Sequence, residues 1–463
     1  MSHSKDRKTD NMKEIASRLV EMAEKSGAID ADALAVSDTG ENISVRNRKV
    51  ESVEREDSCG IGLRAFVETP DGLAFASASS SDFSDDGMRR LVDQVIAMAG
   101  ISAADPDAMP PSGAEHPTAD ELAAWNEKHQ VESEWSLEAA KQAALECEAA
   151  ALDYSDKIEN SEGAEAGFGR AHVAYACADG FQGEYQKSSL GLSLSVIAGS
   201  GDQMQRDYAY SRARQVEKLK SPELIGQEAA ERAIRRVGAH SISTRQTTVV
   251  FEPRMATSIL GHLISAINGR SVLQKRSFLS ESNGQVLFPE FVQVEDNPDH
   301  PEGLGNRLFD GEGTRCKQRT IIDSGRLTGF LTDRYAAARL KSEPTGHARR
   351  GLTGDTGIGS SNLILHPGKI DVDSMLQEIG DGILVTEMMG FGINGITGDY
   401  SRGAAGFLIE NGVITQPINE ITIASNLKKM FSNISHLGSD LTWFGSTAVP
   451  SIAISDMTVA GQE

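Results

Sequence analysis

The sequence predicts an α+β fold in which N-terminal α+β blocks with antiparallel sheets precede a β-rich C-terminal domain. Three observations support this class. Apolar residues at helical spacing bracket extended segments in the first half of the chain. Hairpin turns separate those segments. Beyond about residue 285, short β-type runs alternate with glycine-rich stretches, and the 463 residues include 45 glycines but only 5% aromatic residues. This length suits two or three domains.

The first predicted domain covers residues 1–105. An amphipathic helix is expected over 11–27, followed by strands with turns at Thr39-Gly40 and at 69–72. Ser84 then begins a second helix, because its hydroxyl can accept a hydrogen bond from the first helical turn. Helix, antiparallel strands and helix together make a compact α+β unit.

The second predicted domain covers residues 106–243 and opens with an acidic linker. Residues 101–120 contain four prolines among small and acidic residues, which is typical of a linker or long loop. A helix around 136–152, extended segments and a helix beginning at Ser221-Pro222 complete another α+β unit. Its order resembles that of the first domain only loosely, so no internal repeat is predicted.

The third predicted domain covers residues 244–463 and is mainly β, with glycine-rich segments at 351–362 and 390–406. Residues 390–395 match the pattern G-x-G-x-x-G of dinucleotide-binding proteins. Such a site needs a helix to begin there, because the helix N-terminus holds the pyrophosphate. The sequence after residue 395 contains no helix start, so we interpret the glycines of this segment as turns beside a groove. Glycine-rich backbone of this kind can also pair with an extended peptide.

Charge and cysteine content narrow the function further. The net charge of −22 argues against direct nucleic-acid binding, which needs a Lys/Arg surface. Residues 101–170 alone hold 16 acidic and 4 basic side chains. Four widely spaced cysteines indicate reduced thiols, and no apolar run is long enough to cross a membrane. Because the polar N-terminus also lacks a signal-peptide core, a cytoplasmic protein without membrane contact is expected.

The sequence offers no complete catalytic motif. A zinc peptidase needs two histidines and an adjacent glutamate on one helix. His262 lies on the helix expected over 253–269, but Leu263 follows it and no second histidine is present there. There is no G-x-S-x-G nucleophile motif, and no cysteine lies in a recognisable reactive context.

Several motifs of the C-terminal third resemble the TldD/PmbA family, also called the modulator of DNA gyrase family. The resemblance is carried by GILVTEMMG at 382–390, TGDYSRG at 397–403 and GFLIENG at 406–412. The helix over 253–269 with SVLQKRS at 271–277 fits the family as well. The similarity extends from about residue 12 to the C-terminus, and its glycine-rich motifs are specific in combination.

The resemblance implies a subunit of a heterodimeric, cytoplasmic zinc metallopeptidase that acts on unfolded peptides. In this family the TldD kind carries His-Glu-x-x-x-His and a C-terminal cysteine, which hold zinc, whereas the PmbA or TldE kind lacks them. This sequence matches the second kind, because His262 stands alone and the last cysteine is Cys316. The resemblance therefore implies no cofactor, metal ligand or catalytic residue in this chain, with zinc in a TldD-type partner.

The glycine-rich segments would then help to position the peptide. Asn362, Asn394, Asp399 and Ser401 are the predicted substrate-binding residues, because they lie in those segments. Two alternatives stay open at this point: an autonomous metallopeptidase of the family, and a non-enzymatic binding protein that forms homodimers. The sequence does not decide whether the isolated chain is a homodimer.

Overall fold

A computed structural model describes residues 12–129, 135–353 and 356–461 of the chain. The helices are α1 (Met12–Lys25), α2 (Asp85–Ile101), α3 (Ala119–Lys128), α4 (Leu137–Leu152), α5 (Pro222–Arg235), α6 (Pro253–Ala266), α7 (Gly269–Leu273), α8 (Arg334–Leu340), α9 (Val372–Ile379) and α10 (Leu427–Ser432). Single 3₁₀ turns lie at Gly201–Gln203 and Val216–Lys218. None of the described helices is long and apolar enough to cross a membrane.

The strands fall into three six-stranded sheets and one short hairpin. They are β1 (Asp30–Arg46), β2 (Lys49–Thr69), β3 (Gly72–Ser80), β4 (Ile158–Cys177), β5 (Gln182–Ala198), β6 (Gln205–Ala213), β7 (Arg245–Phe251), β8 (Val294–Asp296), β9 (Arg319–Asp323), β10 (Arg326–Leu327), β11 (Ala348–Arg349), β12 (Gly357–Ile358), β13 (Leu363–Leu365), β14 (Gly382–Met389), β15 (Asp399–Glu410), β16 (Val413–Asn426), β17 (Ile434–Leu437), β18 (Thr442–Phe444), β19 (Thr447–Val449) and β20 (Ile452–Ala460). The predicted α+β class is confirmed.

The first sheet is continuous across the two N-terminal blocks. Its order is β3-β2-β1-β4-β5-β6, and β1 pairs antiparallel with β4 at its centre. Helices α1 and α2 cover one half of a single face, and α4 and α5 cover the other half. Each half therefore repeats the order helix, three strands, helix, although no repeat was evident in the sequence.

One predicted turn is wrong. Strand β1 runs without interruption through Thr39-Gly40, where Gly40 pairs with Glu56 on one side and Gly169 on the other. The chain reverses instead at Asn47 and Arg48, which have φ angles of 51° and 61°.

The C-terminal domain is built around a closed ring of strands. β16, β15, β14, β7 and β20 pair in that order, and β16 also pairs with β20. Parallel pairing of β7 with β14 allows α6 to follow β7 and pack on the ring. The second sheet, β10-β9-β8-β13-β19-β18, shares the same apolar core. This domain supplies the surface that faces the first sheet.

A buried ionic cluster joins the first sheet to the C-terminal domain. Asp32 on β1 accepts two hydrogen bonds from Arg64 on β2, at 2.6 and 3.1 Å, and a further one from Arg350 of the C-terminal domain. The Tyr175 hydroxyl also donates to Asp32, at 3.1 Å. Burial alone would raise the pKa of Asp32, but the charges of Arg350 and Arg64 outweigh it and lower that pKa. The carboxylate therefore stays charged.

We predict that Asp32→Asn lowers the free energy of unfolding by about 3–5 kcal/mol, because the buried Arg350 then lacks its carboxylate and Arg64 keeps only Glu312, at 3.4 Å. Urea unfolding followed by circular dichroism measures this loss. The control is Glu21→Gln, which removes an exposed pair with Lys25 and should cost less than about 1 kcal/mol. Similar losses for the two variants would contradict the role of this cluster.

Candidate functional site

The principal cleft lies between the edge of the first sheet and the C-terminal domain. It has a volume of about 950 Å³ and is bounded by β6, α5, the start of α6, residues 300–302 and the turn at 441–445. A second cavity of about 630 Å³ adjoins it and extends over β5 and β4. The two cavities share six residues, so they form one groove along the face of the sheet opposite α1, α2, α4 and α5. The residues that line both cavities are Tyr208, Tyr210, Ser211, Arg212, Phe444 and Gly445.

Alternation along β6 directs its side chains into the cleft. Asp207 and Ala209 are buried, whereas Tyr208 and Arg212 are exposed on the opposite face. Successive side chains of a strand point to opposite faces, so Tyr208, Tyr210 and Arg212 line the same wall. Phe444 faces them from the other wall, with its ring centre 6.0 Å from that of Tyr210. β6 is also an edge strand, paired only with β5 in the first sheet.

A second buried cluster fixes the two walls relative to each other. Asp207 of β6 contacts Arg232 of α5 at 3.4 Å and Arg254 of α6 at 3.0 Å. Arg254 also donates to the Tyr208 carbonyl at 2.9 Å and lies 4.2 Å from the Tyr208 ring centre. Burial alone would raise the pKa of Asp207, but Arg254 and Arg232 outweigh it and lower that pKa.

The cleft is cationic although the chain is acidic. Seven Lys or Arg side chains line it, against three Glu. Five of the seven already bind a partner: Lys128, Arg214, Lys220, Arg232 and Arg254. Arg212 and Lys218 are exposed and form no ion pair with any residue that the structure describes. These two cations are therefore available to a ligand.

His129 connects the floor of the cleft to the loop that bears Asp299. Its Nδ1 faces Arg214 at 2.6 Å, and its Nε2 faces Asp299 at 2.9 Å. Because an arginine can only donate, Nδ1 accepts and Nε2–H donates to the carboxylate. Burial, followed by the charge of Arg214, lowers the pKa of His129. The neutral imidazole thus links two charged groups and orients Arg214.

Three of the four predicted site residues lie where β15 begins: Asn394 is in the connection between β14 and β15, and Asp399 and Ser401 are in the first residues of β15. Asn394, Asp399 and Ser401 are all exposed. The Asn394 side chain accepts hydrogen bonds from the backbone of 396 and 397, and Asp399 accepts one from Thr397 at 2.6 Å. No helix begins at 390–395, as expected. None of the three residues lines either cavity.

Asn362 is placed differently, because its side chain is fully buried. It accepts a hydrogen bond from Gly305 N at 2.7 Å and donates one to Asn306 at 2.6 Å. Asn306 in turn donates to the His300 carbonyl at 2.8 Å. Asn362 thus supports the loop of residues 300–302, which forms part of the cleft wall. Two residues of the glycine-rich segment 351–362 that contains Asn362, at positions 354 and 355, lie outside the described residues.

The residues on α6 do not fit a zinc ion. His262 is the one histidine of this helix, and its Nε2 is buried without a hydrogen-bond partner. Burial and the charge of Arg402 lower the pKa of His262 to about 4. A cation beside the imidazole repels a second cation. In the described part of the chain, no group of three or more His, Cys, Asp and Glu donors within 4.8 Å includes His262.

The same architecture occurs in solved structures. The chain matches a candidate modulator of DNA gyrase from Bacteroides thetaiotaomicron with a TM-score of 0.87 and 26% identity, over 98% of this chain and 100% of that one. It matches TldE from Thermococcus kodakarensis with a TM-score of 0.83 and 19% identity, over 96% and 99%. The fold is therefore that of the TldD/PmbA class of proteins.

Sequence comparisons identify the family. Models of the PmbA/TldA metallopeptidase match in three parts: domain 1 at residues 31–99, the central domain at 131–237 and the C-terminal domain at 244–461. The metalloprotease PmbA of Escherichia coli O157:H7 is 35% identical over 97% of this chain and 96% of its own length. A PmbA homologue from Haemophilus influenzae is 31% identical over 97% and 96%. The chain belongs to the PmbA/TldD metallopeptidase family.

We predict that His262 makes stability depend on pH. Its folded pKa of about 4 lies below the ordinary value of about 6.5. Between these values the unfolded state binds more protons, so the free energy of unfolding falls as pH drops. Allowing for the partial exposure of the ring, the loss from pH 7 to pH 5 is about 1 kcal/mol.

His262→Leu should remove this loss, which urea unfolding at the two pH values measures. The control is His240→Leu, because His240 is exposed and its replacement should leave the pH dependence unchanged. An unaltered pH dependence in His262→Leu would show that the imidazole is not held neutral in the folded protein.

Proposed function

We propose that this chain is the PmbA/TldE-like subunit of a zinc metallopeptidase and binds unfolded peptides for a TldD-type partner. The observation that carries the proposal is the contrast between the cleft and helix α6, whose first residues, Pro253 and Arg254, line the cleft. The cleft retains a large groove with an edge strand, whereas α6 beside it presents His262 next to Arg402 instead of a metal-binding set. In this proposal the partner supplies the zinc and the general base.

Extended, unfolded peptides are the substrate class that suits the cleft. Beyond Tyr208, whose carbonyl and N–H already bind Arg254 and Asp207, the edge of β6 can form main-chain hydrogen bonds with a strand of any sequence. Aromatic side chains from both walls can pack on apolar residues of that strand. Arg212 and Lys218 favour peptides with acidic side chains or a nearby C-terminal carboxylate. Folded proteins do not present such a strand.

The segment 394–401, which leads from the β14–β15 connection into β15, is proposed as a second peptide contact. Asn394, Asp399 and Ser401 present polar groups there, and Tyr400 between them packs against His262 with ring centres 5.9 Å apart. This segment therefore adjoins the side of α6 that bears His262. For Asn362 we propose an indirect role, because it supports residues 300–302 of the cleft wall.

Other features support a cytoplasmic heterodimer. All four cysteines are free, as in a reducing compartment.

Direct binding of nucleic acid is not proposed, because most of the cationic groups in the cleft are already paired. An autonomous peptidase is disfavoured by the surroundings of His262. A homodimer of the isolated chain remains compatible with the proposal, since the surface that binds the partner would then be free.

We predict that reversing the two available charges weakens peptide binding in the reconstituted pair. Arg212→Glu and Lys218→Glu should each raise the KM for an acidic unfolded peptide by about tenfold, because a charge contact of about 1.4 kcal/mol corresponds to that factor. Steady-state cleavage of a fluorescent peptide measures KM and kcat separately. Lys25→Glu, an exposed change on α1, is the control. An unchanged KM in both cleft variants would contradict the assigned cleft.

We also predict that alanine at Asn394, Asp399 and Ser401 together lowers kcat/KM of the pair by about tenfold, a loss of about 1.4 kcal/mol of transition-state stabilisation. The three side chains are exposed, so the change should leave the melting temperature nearly unaltered. Asn362→Ala should instead lower the melting temperature, because it removes buried hydrogen bonds. Unchanged peptide turnover in the triple variant would reject the assignment of this segment.

A further inference from the structure

Three potential metal ligands meet at the end of β4, away from α6. His116 Nε2 lies 3.0 Å from Asp179 Oδ2 and 3.7 Å from Cys177 Sγ, and Cys177 Sγ lies 3.0 Å from Asp179 Oδ1. Among the residues described, this is the one group of three or more His, Cys, Asp or Glu donors that lie within 4.8 Å of one another. His116 lies in the linker, Cys177 is the last residue of β4, and Asp179 lies in the turn between β4 and β5.

The hydrogen bonding of His116 leaves a lone pair directed at its neighbours. Its Nδ1 lies 2.8 Å from the Gly313 carbonyl oxygen, which can only accept, so Nδ1 carries a proton. In the neutral imidazole Nε2 is then an acceptor, and it faces a carboxylate oxygen at 3.0 Å. Two acceptors at that distance repel each other unless a cation or a proton lies between them. Metal-binding histidines show the same arrangement, with the second nitrogen donating to a carbonyl.

The surrounding structure holds the other two ligands in place. Gly113 N and Phe181 N donate to the Asp179 carboxylate at 2.9 and 3.2 Å. Gly180 has a φ of 91°, which lets the chain turn sharply between Cys177 and Phe181. The Phe181 ring stacks on the His116 ring with centres 4.2 Å apart. The ligands are thus oriented by groups that do not themselves bind a metal.

We propose that His116, Cys177 and Asp179 bind a zinc ion. Zinc takes sulfur, nitrogen and oxygen ligands at about 2.0–2.3 Å in a tetrahedron, which places the ligand atoms about 3.3–3.6 Å apart. The His116 Nε2–Cys177 Sγ separation of 3.7 Å lies close to that range. The Asp179 carboxylate presents Oδ2 to His116 and Oδ1 to Cys177, and one of its oxygens lies within 4.8 Å of both other ligand atoms. Cys177 is buried, but the Asp179 side chain is 26% exposed, so water can complete the fourth position.

The zinc ion would join three parts of the molecule. It would connect the linker at His116 to the β4–β5 turn, and through the His116 hydrogen bond to Gly313 it would connect both to the C-terminal domain. When Cys177 binds the zinc ion as a thiolate, its thiol proton is released to solvent. The site is separate from the peptide cleft and does not depend on the proposed function. The resemblance to the TldD/PmbA family implies no metal in this chain, and His116 and Cys177 are too far apart in sequence to form a recognisable ligand motif.

Cobalt binding to the isolated, untagged full-length chain tests the proposal. Cobalt(II) replaces zinc in such sites, and a thiolate ligand then gives a charge-transfer band in the near ultraviolet. We expect one cobalt ion per chain with this band, and zinc should displace it. Cys177→Ser should abolish the band and weaken metal binding by more than about 100-fold. Cys59→Ser, which changes a thiol outside the cluster, should retain the band.

Two results would overturn the proposal. The first is the absence of a thiolate–cobalt band in the wild-type chain, which would leave His116 and Asp179 as a proton-sharing pair. The second is an unchanged band in Cys177→Ser. The wild-type measurement decides the question even if a variant fails to fold, and His116→Gln provides a second variant that keeps the thiol. Because neither partner nor peptide is present, failure here leaves the proposed peptidase role untouched.

Discussion

The arrangement of the molecule depends on two buried carboxylates in the first sheet. Asp32 on β1 and Asp207 on β6 each bind an arginine from their own half of the chain and another from the C-terminal domain. A buried charge without its partner is costly, so each carboxylate strongly favours the docked arrangement. The cleft lies beside the Asp207 cluster, and its width is therefore set by these contacts between the two walls.

Local features of this fold could be predicted from sequence, whereas its long-range pairings could not. The helix over 136–152 and the helix beginning at Ser221 follow from caps and periodicity. Helix α3 was missed, although Thr118 and Glu121 form a capping box that a sequence search can find. The pairing of β1 with β4 and the closure of β16 on β20 join distant segments, and no local pattern encodes them.

For the functional site, too, local features could be predicted from the sequence and long-range packing could not. Glycine content marked residues 390–406 as a loop, but only 390–398 connect the strands and the rest lies in β15. It also did not reveal that Asn362 is buried, because burial depends on the packing of residues 303–306 around it. The cleft was also missed, although Tyr208, Tyr210 and Arg212 alternate along one strand. Their pattern is informative only when β6 is known to be an edge strand facing the C-terminal domain. That His262 belongs to an incomplete ligand set stays a prediction.

The central claim is that this chain shapes a peptide cleft but does not itself catalyse hydrolysis. The most direct test compares cleavage of casein or an unfolded peptide by the isolated chain, supplied with zinc, and by the chain co-expressed with the TldD-type subunit of its own host. The account predicts cleavage by the pair that a chelator abolishes, and no cleavage by the isolated chain. Zinc-dependent cleavage by the isolated chain, removed by a chelator, would contradict it.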